Sequence, residues 1–360
     1  MANCFKKLLI LILLCSPALL SAKGRKEKSI SEPPAETPQE RAERILAENE
    51  GAAYAREPID GTHSSFDEVW GFALQERSEE IDLDTPLTDI ALFTATLNNY
   101  AELDAVPRRA VLSSFAGRVH LTFACDSRAL VHFVLDEKFG LRKQFEKSLA
   151  DAASDFDGLC IDMEYIPARD RKNFLIFLRD MKKAIGKDKV FSVCVPARTR
   201  TIADDIFPYK TIGEIADRVI IMAYDEHWST SSPGPVASYA WCGNVADYAL
   251  TVIPKEKIVM GLPFYGRTWM EERHAGAWYF SGINRKMLEN GVPAVERDEG
   301  GIAKINYSAT VNITGYFDDT YSLVKKCRLY EEKQIANISF WRLGQEDKTF
   351  WRWIKIGDGS

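Results

Sequence analysis

The chain has 360 residues, of which 46% are apolar and 27% charged, with a net charge of −6. That length suits one barrel-sized enzyme domain with extensions, and the composition is that of a globular protein. The acidic balance offers no basic surface for nucleic acid, which is set aside as a partner.

Residues 1–22 read as an export signal. Lys6 and Lys7 form the basic end, 8–14 the apolar core, and Ser21 with Ala22 a small-residue cut site. The apolar run is shorter than the roughly 20 residues that span a bilayer, so no stable membrane insertion is expected after cleavage. An uncleaved anchor and a lipid on Cys15 are the alternatives; the bulky Leu14 argues against the lipid. The expected address is the periplasm, the cell envelope or the medium. Two of the seven cysteines lie in this signal. The rest (Cys125, Cys160, Cys194, Cys242 and Cys327) are odd in number and form no CxxC pattern, so neither a disulfide framework nor a zinc site is expected. No cofactor is implied, and the sequence says nothing about oligomeric state.

Residues 23–37 are charged and Pro-rich, as in a linker. Thr37 and Glu40 form a capping box with Pro38 in the first turn, which predicts a helix over about 38–55. From residue 67 short apolar runs recur: 68–73, 89–94, 118–124, 157–163, 189–195, 218–224, 257–262 and 335–341. Helix-like stretches fill several gaps. The clearest is 169–186, with Phe174, Phe177, Leu178 and Met181 on one face and Gly186 as its stop. Eight strands alternating with helices predict an α/β fold, a (β/α)8 TIM barrel over 67–357. An open doubly wound sheet is the alternative, weakened because no glycine-rich phosphate loop follows the first strand. The 264–334 gap is too long for one crossover, and its alternating stretches predict a small β-rich insertion.

The fourth run, DFDGLCIDMEYIP, carries three acids. Side chains alternate along a strand, so Cys160, Asp162 and Glu164 share one face, the inner wall of a barrel, with Glu164 at the mouth. The Cα atoms of Asp162 and Glu164 would stand roughly 6–7 Å apart. Their carboxylates could share a proton, raising one pKa toward the range a general acid needs. Acids that merely cap a helix or face outward are the bland alternative. Two acids on one strand approach a glycosidic bond from one side only. A 2-acetamido sugar can supply the nucleophile itself, by substrate assistance.

At this point the sequence resembles glycoside hydrolase family 18, the chitinase-like barrels, and within it the bacterial envelope- and spore-associated branch. DGLCIDME matches the family's D-G-x-D-x-D-x-E through Asp157, Gly158, Asp162 and Glu164, with Cys160 in place of the middle Asp. MAYDEHW at 222–228, GLPFYGRTW at 261–269 and ISFWRLGQED at 338–347 resemble further family motifs, and the resemblance spans about 67–355. It implies a metal-free retaining glycosidase acting on a polysaccharide that contains β-linked N-acetylglucosamine, peptidoglycan or chitin-like. Glu164 would be the general acid and base, and Asp162 would stabilise the oxazolinium-like charge. Tyr224 would orient the acetamido carbonyl, Asp225 would bind sugar hydroxyls and Trp341 would floor the subsite. Tyr265 and Trp228 are candidates to line the cleft, and Phe72 either stacks on sugar or packs. Asp157 has the wrong parity and is read as structural, with Gly158; His227 is a wall residue. A non-catalytic glycan-binding barrel is the rival, disfavoured because Glu164 is present. Cys160 is the departure, a neutral small group where the family has an acid, and a Cys125–Cys160 disulfide is geometrically conceivable.

Overall fold

The computed structural model describes residues 57–271, 279–297, 299–300 and 302–357. The signal, the linker and the helix expected over 38–55 lie outside the described residues.

All eight apolar runs become strands: β1 Glu68–Leu74, β2 Asp89–Leu97, β3 Arg118–Ala124, β4 Gly158–Asp162, β5 Val190–Pro196, β6 Arg218–Met222, β7 Ile258–Pro263 and β8 Asn337–Trp341. Each pairs in parallel with the next. β8 also pairs with β1, Ile338 opposite Val69 and Phe340 opposite Gly71, which closes a (β/α)8 barrel. Helices Arg128–Leu135 (α1) and Arg142–Ala152 (α2) follow β3. Then come Arg171–Ala184 (α3) after β4, Tyr209–Ile215 (α4) after β5 and Tyr239–Val252 (α5) after β6. In α3 the residues Phe174, Phe177, Leu178 and Met181 are fully buried, and Gly186, at φ +85°, takes the left-handed turn beyond its end. Each such side chain contributes about 1.5–3 kcal/mol by leaving water. Among the described residues no helix is long and apolar enough to cross a membrane.

The region between β7 and β8 carries the expected strands and also a helix. Arg267–Met270 runs antiparallel to Ile313–Tyr316, and Glu296–Arg297 pairs with Ala303–Lys304. Helix Phe280–Glu289 (α6) lies between them, and Thr320–Glu332 (α7), started by a capping box on Asp319, leads into β8. This hairpin matters for the site because it delivers Arg267.

The barrel interior is layered. Its middle is apolar, with Trp70, Ala91, Cys160, Ile220 and Val259 packed together. Below them lies an ion-pair plug that the sequence reading did not anticipate. Glu68 of β1 receives hydrogen bonds from Arg118 of β3 (2.5 Å) and, across the barrel, from Arg218 of β6 (2.7 Å to each carboxylate oxygen). Asp89, fully buried, accepts from Arg118 at 2.7 and 2.9 Å, and His120 Nε2 lies 2.6 Å away. Gly158 belongs to this layer by necessity. A Cβ there would sit 2.2 Å from the His120 ring and 2.5 Å from the Val190 carbonyl.

Burial alone would raise the Glu68 carboxyl, but the two arginines outweigh it and hold it at about 2. The group therefore contributes stability that is fully present above about pH 4.5 and is lost as pH falls toward 2. Glu68→Gln is expected to cost about 3 kcal/mol near neutral pH, and to flatten the acid limb of the stability curve. Denaturant midpoints of both forms across pH 2–7 check it; parallel curves would mean that the plug does not carry this acid dependence.

Candidate active site

Asp162 is the last residue of β4 and faces the interior, 8% exposed. Glu164 stands two residues on, past the strand end, open to the cleft at the barrel mouth. Burial pushes the Asp162 carboxyl up to about 7, the negative charge of Glu164 adds to this, and the neighbouring Cys194 side chain on β5 opposes it. Glu164 is raised too, first by the low-dielectric walls and then by the charge of Asp225.

Two cavities meet over these acids. One, about 390 Å³, is walled by Tyr224, Asp225, Tyr265, Arg267 and Gln345. The other, about 520 Å³, lies toward Phe93, Thr94, Asp126 and Tyr165. Asp162, Glu164 and Trp341 belong to both, so the cleft crosses the barrel mouth with the acids near its middle.

Trp341 ends β8 and forms the floor. Phe93 meets it edge-on at 4.9 Å, and Phe72 lies at 5.6 Å. Phe72 is 2% exposed and lines neither cavity, so of its two expected roles the structure gives it packing, as support for Trp341. Tyr224 follows β6, its ring 6.3 Å from that of Tyr265. Burial, reinforced by neighbouring negative groups, drives its hydroxyl well above the ordinary tyrosine range, so it remains a donor at any working pH.

Asp225 has φ +58°, a left-handed conformation that turns the chain out of the strand direction. Its Oδ1 accepts three hydrogen bonds, from the Tyr265 hydroxyl (2.7 Å) and from Arg267 Nε (3.1 Å) and an Arg267 terminal nitrogen (2.6 Å). Arg267 was inside the motif quoted from the sequence but received no role there; only its pairing with residue 316 brings it to the cleft wall. Trp228 is not brought to the acids. It is half exposed, its indole N–H donates to Thr230 at 2.8 Å, and it lines neither cavity. Its carbonyl accepts from the Trp269 indole of the hairpin at 3.3 Å. His227 makes a wall contact, Nδ1 lying 2.9 Å from the Pro235 carbonyl.

Asp157 lies before β4, away from the cleft, and accepts from the Val119 N–H (2.9 Å) and Arg109 (2.8 Å). Burial works to raise its carboxyl, but these donors prevail and hold it below its usual value.

Cys160 is buried directly under Asp162. The conceivable disulfide with Cys125 is absent; both thiols are free. The register explains why. Cys160 pairs with Thr122, which leaves Cys125 three residues on, past the end of β3 and about 10 Å away. The neighbour of Cys160 is instead Cys194 of β5, Sγ to Sγ 3.6 Å, a residue to which the sequence pattern assigns no role.

The family model of glycosyl hydrolases family 18 matches this chain over residues 127–346, a stretch that holds both acids, Tyr224, Asp225, Tyr265, Arg267 and Trp341. The chain is 28% identical over 261 residues to YdhD of Bacillus subtilis (strain 168), which carries the name of a sporulation-specific glycosylase, covering 69% of this chain and 61% of that protein. It is 27% identical over 214 residues to the cortical fragment-lytic enzyme of the same organism, covering 54% of this chain and 48% of that one. The chain thus spans about half to three-fifths of these two relatives. Among solved structures, the spore cortex-lytic enzyme SleL of Bacillus cereus shares the fold, with TM-score 0.65 and 21% identity over 84% of this chain and 77% of that one. With well over half of its length matched, and the matched stretch carrying the paired acids of the cleft, the chain belongs to glycosyl hydrolases family 18.

Proposed function

We propose that this protein is an exported glycosidase that cleaves within polysaccharide chains containing β-linked N-acetylglucosamine, of peptidoglycan or chitin type, by substrate-assisted retention. The observation that carries this reading is the pair Asp162 and Glu164, both with raised carboxyl pKa values, in the middle of a cleft open on either side. Sugar units can lie to both sides of the acids, which suits cleavage within a chain. Export rests on residues 1–22. The names of the relatives, a cortical fragment-lytic enzyme and a sporulation-specific glycosylase, favour a wall glycan as the natural target.

In this mechanism Glu164 protonates the glycosidic oxygen and later takes a proton from water. Asp162 and Glu164 stand side by side, and a proton held on one favours ionisation of the other. Positive charge developing on the sugar favours the ionised form of Asp162 and so leaves that proton with Glu164. Tyr224 donates to the acetamido oxygen and aims it at the anomeric carbon. A two-carboxylate route needs a free acid on the opposite side of the sugar. Asp225 is ill suited to that, because its Oδ1 already accepts three hydrogen bonds. It serves instead as a rigid acceptor for sugar hydroxyls. The Trp341 indole carries the apolar face of the pyranose.

Glu164→Gln is expected to lower turnover of peptidoglycan or chito-oligosaccharides by a factor of about 10² to 10⁴, read as released reducing ends. Activity on no N-acetylated glycan by the unaltered protein would sink the hydrolase reading, and full activity in Glu164→Gln would displace Glu164 as the acid. Trp341→Ala removes a surface used in both ground and transition states, so KM should rise about tenfold with kcat little changed. Steady-state kinetics on a soluble oligosaccharide decide this; a fall in kcat at constant KM would assign the indole to the transition state alone.

A further inference from the structure

Two thiols lie close to Asp162, Cys160 one level below it and Cys194 on the adjoining strand at its own height. β4 and β5 run in register with Cys160 opposite Ser192 and Ile161 opposite Val193, so one step further along Asp162 stands level with Cys194. Neighbouring strands lie about 4.8 Å apart, which puts the Cys194 side chain beside the Asp162 carboxylate. Both cysteines belong to the packed barrel interior, Cys160 at 0% and Cys194 at 3% exposure, and their sulfurs are 3.6 Å apart. Asp162 Oδ1 is buried and meets no donor of good geometry among the described residues. The other ionisable groups facing Asp162 are Glu164 beside it and, from the turn after β6, Tyr224 and Asp225; Asp126 and Arg267 stand on the outer cleft walls. Ala124, its register partner on β3, offers no donor.

We propose that Cys194 is a positioning residue for the reaction: with Cys160 donating to its sulfur, it is left to donate its own thiol hydrogen to Asp162 and so fixes that carboxylate in its ionised form. This rests on the hydrolase reading, in which Asp162 works as an anion. Each thiol has one hydrogen and a sulfur that can accept, so the chain Cys160 to Cys194 to Asp162 uses both hydrogens. Burial holds the Cys194 thiol well above its ordinary pKa, so it stays protonated and able to donate wherever the enzyme works. A hydrogen bond to a carboxylate favours the charged form, and its loss moves the pKa upward.

The test reads Asp162 directly and activity separately. Carbon-13 NMR of the protein with labelled aspartate, with the Asp162 signal assigned by its absence in Asp162→Asn, gives the titration midpoint. Cys194→Ala should raise that midpoint by about one pH unit, the scale of one hydrogen bond to a charged group. Cys194→Ser, which keeps a donor of similar size, should return it to the wild-type value or below. The acidic limb of the kcat profile should move in the same order. Midpoints equal in all three proteins, or raised equally by Ala and Ser, would overturn the assignment. A wild-type protein that hydrolyses no N-acetylated glycan, while the midpoint still moves with Ala and returns with Ser, would sink the hydrolase reading and leave the thiol contact standing.

Discussion

A closed barrel has one interior, and the pleat of each strand commits every second residue to it. On β4 that rule sends Gly158, Cys160 and Asp162 inward on successive levels and delivers Glu164 to the rim. Each level then sets a different demand. At the bottom only glycine leaves room for the His120 ring, and charges cross-link β1, β2, β3 and β6. In the middle a small neutral group must pack against Trp70 and Ile220. At the top a carboxylate is kept out of water. A shift of one residue would turn all of these outward, so fold and site depend on the same register.

The cleft uses its acids in two opposite ways. Asp162 is buried with little compensation, which raises its pKa and makes its charge sensitive to whatever arrives above it. Asp225 is more exposed but is clasped by Tyr265 and Arg267, so its geometry is fixed. An unsatisfied buried carboxylate costs free energy that a satisfied surface one does not. In the proposed mechanism that cost is recovered where positive charge develops on the substrate, which is how a weakly solvated anion favours a transition state over a ground state.

The strands were legible because their apolar runs are continuous, as strands buried on both faces must be. The acids of β4 were legible because period two is exact enough to assign a face. The ion-pair plug was not, because Glu68, Arg118 and Arg218 open their strands and read there as solvent-facing ends; their meeting depends on closure, which brings residues 150 positions apart into contact. Trp228 lines neither cavity, for a local reason. Nearness in sequence to Asp225 implied nearness to the cleft, but the left-handed turn at Asp225 sends the chain away. Arg267 lay in plain view in its motif, yet its place depends on a hairpin closed by residues 313–316, a pairing no local pattern encodes. Cys194 carried no signal either, because in KVFSVCV a thiol is indistinguishable from any other small core residue.

The exchange of the family's middle acid for Cys160 makes sense in this setting. A third carboxylate on the same wall would add a charge next to two that already repel, raising their pKa values further unless it stayed protonated. A thiol removes that repulsion and fits an apolar layer, but it is a weaker donor than a carboxylic acid. A single thiol at position 160, one level below, reaches Asp162 less directly than one on the adjoining strand at its own height. The second thiol, Cys194, supplies that height, and the first supplies the contact beneath it. The thiol at position 160 is therefore best considered together with its neighbour on β5. With the proposed contact, Asp162 is held by a neutral donor that favours its ionised form against the charge of Glu164.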